Sequence, residues 1–148
     1  MPELNIVEKV ISLEGVELLS GLTPEQLARI ASVAREKRIP PGKVIFDGSK
    51  PMDALYVVID GSVELSREGE VLVEAGPNHV LGTWALFDED AMAVTATTRD
   101  EVRLLRISRD DFYDLLADNI EIAASLFSTL VRRFRKLVEE APAVHAGA

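Results

Sequence analysis

Leu55-Tyr56-Val57-Val58-Ile59-Asp60-Gly61-Ser62-Val63-Glu64-Leu65 is the stretch whose reading decides the fold. An apolar, β-branched and aromatic run breaks at Asp-Gly and resumes with polar and apolar residues alternating. Two strands joined by a tight turn are the reading. Glycine belongs in such a turn because it tolerates the positive φ that side chains resist.

The two-residue period extends over residues 37–108. Lys43-Val44-Ile45-Phe46, Ala54 to Ile59, Ser62 to Ser66, Val71-Leu72-Val73, Val94-Thr95-Ala96-Thr97 and Glu101 to Ile107 all read as strands. In the last, Val102, Leu104 and Ile107 alternate with Glu101, Arg103 and Arg106; by strand alternation Arg67, Arg99 and Arg103 are expected to face solvent. Pro41-Gly42, Asp47-Gly48, Asp60-Gly61, Glu68-Gly69 and Gly76-Pro77 punctuate the run as turns. Short strands with regular turns point to a sandwich or barrel.

Helical spacing appears on both flanks. In residues 4–36, Ile6, Val7, Val10, Ile11 and Leu13 share one face. A second helix opens at Thr23-Pro24-Glu25-Gln26, with Thr23 as N-cap, Pro24 in the first turn and Gln26 completing a capping box. Leu27, Ile30, Ala31 and Ala34 continue it, and Gly21 separates the two. In residues 109–140, Ser108 is the N-cap, Asp110 and Asp111 suit the positive helix start, and Ala123, Phe127, Leu130, Phe134 and Leu137 step 4-3-4-3. The expected architecture is α+β: an antiparallel β-barrel or jelly roll of the double-stranded β-helix type, flanked by N-terminal and C-terminal helices. It forms one domain over residues 1–140 (helical 4–36, barrel 37–108, helices 109–140), with a flexible tail at 141–148.

Composition narrows the functions. The 148 residues carry 16 Lys and Arg against 25 Asp and Glu, a net charge of −9, which argues against a nucleic-acid reader because such readers neutralise phosphates with cations. The cluster Arg132-Arg133-Arg135-Lys136 reads as a solvated face near a helix end. With no cysteine, disulfides, thiolate metal sites and cysteine nucleophiles are excluded. The N-terminus lacks the basic start and apolar run of a signal peptide, and the strongest apolar run, Leu55 to Ile59, is too short to span a bilayer. A soluble, cytoplasmic protein without direct membrane insertion is expected, and no catalytic constellation is visible.

Taken together, these pieces resemble the cyclic nucleotide-binding domain family, the fold shared by catabolite activator proteins, protein kinase A regulatory subunits and cyclic-nucleotide-gated channels. Gly21-Leu22-Thr23 with Leu27 resembles the start of the family's N-terminal helical segment. Pro41-Gly42-Lys43-Val44-Ile45-Phe46-Asp47-Gly48 resembles its Pro-Gly…Gly strand and turn, and residues 55–65 are similar to its most recognisable hairpin.

In that family the ligand cassette is a Gly-Glu-x-Ala-Leu run followed by Arg-Ser/Thr-Ala or Arg-Ala. Backbone N–H groups at a short helix receive the cyclic phosphate, the arginine neutralises it, and the glutamate holds the ribose hydroxyl. The matching stretch here is Val80 to Thr95. Gly82, Ala85 and Leu86 fall in place and Ala93 follows the arginine position, but Thr83 stands at the glutamate position and Met92 at the arginine position.

Each lost hydrogen bond to a charged group removes about 1.5–3 kcal/mol. Two losses amount to about 3–6 kcal/mol, or roughly two to four orders of magnitude in affinity. The resemblance therefore implies a non-catalytic regulatory or interaction module with a degenerate cassette and no cofactor, unable to hold cAMP or cGMP in the usual way. The alternative is a sensor that takes a cyclic nucleotide through a substitute cation, such as Arg67, Arg99 or Arg103, or a more apolar ligand beside Trp84, Phe87 and Met92. Trp84, the sole tryptophan, either lines such a pocket or fills the barrel where a nucleotide would lie.

Other candidates are thinner. Some relatives of this fold bind haem through a histidine, which makes His79 a candidate, though no second ligand is evident; His145 falls in the tail. Asp88-Glu89-Asp90 lacks calcium-loop spacing and reads as a solvated loop. The Ala123–Leu137 stripe serves equally as a homodimer seam or as cover for the barrel, since two heptads fall short of a coiled-coil signature. With too little chain after the last helix for a helix-turn-helix, the expected partner is a protein or an attached domain of a larger protein.

Overall fold

The computed structural model describes residues 3–49, 52–83 and 94–140. The described elements run α1 (Ile6–Glu14), a 3-10 turn (Glu17–Leu19), α2 (Pro24–Val33), β1 (Arg35–Ile39), β2 (Val44–Phe46), β3 (Ala54–Asp60), β4 (Val63–Arg67), β5 (Glu70–Ala75), β6 (Val80–Leu81), β7 (Thr95–Thr98), β8 (Val102–Ser108), α3 (Arg109–Asp118) and α4 (Ile120–Glu140). The strands form two antiparallel four-stranded sheets, ordered β1-β8-β3-β6 and β2-β7-β4-β5, a jelly roll with helices at both ends of the chain.

Local chemistry sets the helix ends. The Gln26 N–H donates to Thr23 Oγ1 at 3.2 Å while Gln26 Oε1 accepts from the Thr23 N–H at 3.0 Å, the expected capping box. At α3 the Asp111 N–H donates to Ser108 Oγ at 3.1 Å. The glycines of four expected turns, Gly42, Gly48, Gly61 and Gly69, all take positive φ. At Gly61 a Cβ would strike the Glu101 carbonyl, so the β3–β4 turn also needs glycine for space.

Two apolar cores lie on opposite faces of the first sheet. β3 turns Leu55 and Val57 toward the helices, and β8 does the same with Leu105 and Ile107; Leu13, Ile30, Phe112 and Ile122 complete that core. Val58, Val102 and Leu104, with Leu81 of the same sheet, face the second sheet, where Val63, Ala75 and Ala96 meet them. Each buried Val, Leu, Ile or Phe among them contributes about 1.5–3 kcal/mol. Because β3 and β8 are covered on both faces, apolar side chains occupy both phases of their alternation.

Several expectations are corrected. Helix was expected to residue 36, yet α2 ends at Val33 and Arg35 opens β1, whose five residues pair with β8. The charged string Arg35-Glu36-Lys37-Arg38 hides this strand because the inward position of Glu36 is filled by an ion pair with Arg103. Their side chains are only 5% and 15% exposed, so Arg103 does not face solvent as its strand's alternation implied. The two-residue strand β6 also went unread. On α1, Val10 and Leu13 pack inward, but Ile6, Val7 and Ile11 remain exposed. α1 is nine residues long and turns one face, through Val10 and Leu13, into the helical core.

Candidate ligand site

β6 pairs with β3 through Tyr56↔Leu81 and Val57↔Val80, which brings Gly82 and Thr83 to the edge of the first sheet. Gly82 has φ +90°, and a Cβ there would come within 2.6 Å of Met52 Cε and 2.9 Å of the Ala54 carbonyl oxygen. Both the dihedral and the space demand glycine, so the cassette begins on a backbone that only this residue allows. Thr83 is half-buried. Trp84, Ala85, Leu86, Met92 and Ala93 lie outside the described residues, as do Phe87, Asp88-Glu89-Asp90 and the tail with His145.

Around this edge stand aromatic and cationic groups that the sequence reading did not join. Tyr56 packs toward the barrel interior and stacks on Phe46, with ring centroids 6.1 Å apart and planes at 25°. Arg106 lies opposite Tyr56 in the β3–β8 register and donates to Asp53 Oδ1 at 3.2 Å. Burial pulls the Arg106 guanidinium down, but hydrogen bonding and charge from Tyr56 and Asp53 outweigh it and hold the group above its ordinary value. The Arg109 guanidinium donates to the Met52 carbonyl at 2.7 Å, and the Arg109 N–H to the Asp53 carbonyl at the same distance. The strand partnership of Tyr56 with Arg106 was readable only once register was known.

The three candidate substitute cations diverge. Arg103 pairs with buried Glu36, and Arg99 lies 3.9 Å from Glu64 at the surface. Arg67 ends β4, two residues beyond Leu65, which packs into the barrel interior, and is half-buried. His79 is exposed; its Nδ1 accepts from the Gly76 N–H at 3.2 Å, holding the turn before β6. Among the described residues no group of three or more His, Asp or Glu is placed to hold a metal ion. Nor is any described helix long and apolar enough to cross a membrane.

The described structure divides the two uses of the C-terminal stripe. Ile122, Leu126 and Thr129 form the buried face of α4. Phe127, Leu130, Phe134 and Leu137 are 69%, 44%, 68% and 67% exposed, and Ala123 is half-buried, so this stripe does not cover the barrel.

The model of the cyclic nucleotide-binding domain matches residues 36–119, more than half of the chain. The chain belongs to this family. Curated cyclic nucleotide-binding relatives include a CRP-like cAMP-activated global transcriptional regulator of Mycobacterium tuberculosis, 28% identical over 135 residues, covering 88% of this chain and 59% of the relative. The cyclic AMP receptor protein of Thermus thermophilus is 30% identical over 129 residues, covering 84% and 60%. The chain thus spans about three fifths of the length of these relatives. Among solved structures, the N-terminal domain of a transcriptional regulator from Streptomyces coelicolor A3(2) superposes with a TM-score of 0.78 at 31% identity, covering 86% of this chain and 93% of that one. The named relatives are regulators and receptors, and the jelly roll is the fold they share with this chain.

Proposed function

We propose that this protein is a non-catalytic regulatory module of the cyclic nucleotide-binding fold, a single unit over residues 1–140, that does not hold cAMP or cGMP in the family's usual manner. The observation that carries the reading is Thr83. It follows Gly82 on the strained, glycine-only backbone where the family's cassette begins, and it offers one neutral hydroxyl where a carboxylate is needed. Met92 supplies no charge at the arginine position. An unneutralised phosphate in a chain of net charge −9 is strongly disfavoured. Gly82, Thr83, Trp84, Ala85, Leu86, Met92 and Ala93 are the cassette positions in this reading.

Isothermal titration with cAMP and cGMP at low salt tests it. No heat is expected at millimolar ligand, whereas a micromolar Kd for the wild-type chain overturns the reading. The double variant Thr83→Glu, Met92→Arg should gain roughly two to four orders of magnitude in affinity, the size of the two missing charged contacts.

A second reading is favoured by Arg67. Its place on β4 beyond interior-facing Leu65 suits a substitute cation for an anionic ligand at the barrel mouth. If the wild-type chain does bind a cyclic nucleotide, Arg67→Gln should abolish that binding.

Regulation also needs a surface that transmits. The exposed 4-3-4-3 stripe of α4 supports a homodimer seam, and the length of the relatives supports an attached domain or partner protein as the receiver of the signal. Sedimentation equilibrium should show a dimer that Phe127→Glu with Phe134→Glu converts to monomer; a monomeric wild-type chain overturns the seam.

A further inference from the structure

α4 carries two parallel stripes, one residue apart. The outer stripe is the apolar seam above. The inner one, Ile122, Leu126, Thr129, Arg133 and Lys136, follows the same 4-3-4-3 spacing but changes chemistry midway: its first three members are buried against the body, and its last two are exposed cations. Every residue from 130 to 137 is exposed, so α4 buries no apolar side chain between Thr129 and the half-buried Val138.

Where the apolar contact stops, a groove of about 390 Å³ opens between α4 and the 3-10 turn, lined by Glu17, Ser20, Thr129, Arg132, Arg133 and Lys136. Arg132 is held in place there. Its Nη2 donates to Thr129 Oγ1 at 3.2 Å, while the same hydroxyl donates onward to the Ser125 carbonyl at 3.1 Å. Gly21 permits this approach, because a Cβ on it would sit 3.1 Å from Thr129 Oγ1 and 3.5 Å from Arg132 Nη2. Arg133 Nε lies 3.6 Å from Glu17 Oε1, and Glu17 is the only carboxylate in the lining. Three cations and two hydroxyls thus face one carboxylate, in a chain whose overall charge is −9.

We propose that this groove binds a phosphate monoester, with Arg132, Arg133 and Lys136 neutralising the dianion and the Ser20 hydroxyl donating to it. A guanidinium presents paired donors that match phosphate oxygens, and an arginine already oriented by Thr129 loses little freedom on binding. The groove is shallow and its lining is limited to six residues, an extent that fits a phosphate on a compact organic body better than an extended acidic peptide. Binding would add to the Arg133–Glu17 pair in bridging α4 to the 3-10 turn, and so further fasten the half of the helix beyond Thr129 that bears part of the outer stripe. The site is separate from the cassette and does not depend on how the cassette is read.

The test is titration of the full chain with inorganic phosphate and with glycerol phosphate, followed by calorimetry and thermal unfolding against chloride at equal ionic strength. A parallel arm measures co-sedimentation with phosphatidylcholine vesicles containing phosphatidic acid. Saturable binding in either arm that Arg132→Gln and Lys136→Gln each weaken at least tenfold supports the site, and Glu17→Gln should tighten it. Binding in solution identifies a free phosphate ester, and binding to vesicles alone identifies a lipid headgroup. No binding in either arm, a response that chloride reproduces, or binding indifferent to both substitutions overturns it.

Discussion

The two sheets are built from similarly short strands but live in different surroundings. The first, β1-β8-β3-β6, is covered on one face by helices and on the other by its partner sheet. The second, β2-β7-β4-β5, has one face inward and one toward solvent, and its edge strand β5 leaves Val71, Leu72 and Val73 about half exposed. Stability is therefore concentrated in the first sheet. The second sheet and the loops it bounds are freer to change without unfolding the domain, since a side chain already half in water has little transfer energy to lose.

That contrast can be broken by mutation. The largest effect should come from the Arg103–Glu36 pair, because removing one partner strands a buried charge. Arg103→Leu should cost about 3–5 kcal/mol in urea unfolding, and the paired change Arg103→Leu with Glu36→Leu should recover most of it. A loss below about 1 kcal/mol for the single variant would mean that water reaches the pair. Next, Leu105→Ala should cost about 2–5 kcal/mol through lost burial and the cavity left between sheet and helices. Leu72→Ala on β5 should stay within about 0.5 kcal/mol. Equal costs at Leu105 and Leu72 would dissolve the distinction between the sheets, and would point to an occupant covering β5 in solution. Between these in size, Thr23→Ala should cost about 1 kcal/mol by removing the cap of α2, a test of how far the helical layer over the first sheet depends on its ends.

The fold was largely legible because its signals are local. Residues 55–65 announce the hairpin through alternation and a turn glycine, and Thr23 with Gln26 announces α2 through capping that reaches only three residues. β1 was not legible. Its residues are charged, and their inward member is satisfied by an ion-pair partner 67 positions away in sequence. The solvent-facing Arg103 expected on β8 failed for the same reason: alternation tells which residues share a face, but not whether that face meets water. At the candidate site, pattern pointed to Gly82, whose positive φ and tight surroundings the structure shows. Tyr56, Phe46, Asp53 and Arg106 were not found by pattern, since nothing in their spacing forecasts that β3, β8 and the end of β2 converge beside β6. The basic string at residues 132–136 was legible as an exposed, charged face near a helix end, and its residues are exposed, but its neighbours Glu17 and Ser20 come from the opposite end of the chain and could not be read from it.

By itself the sequence determined most of the helices, strands and turns and the family to which the chain belongs. These follow from short-range periodicity, turn chemistry and residue identity. Only the tertiary structure decided which stripe of α4 is buried and which is offered outward, which arginine is locked in an ion pair, and where cations gather into a groove. Those outcomes depend on which distant elements pack together, and burial, dielectric and hydrogen-bond partners are properties of that packing rather than of any residue alone.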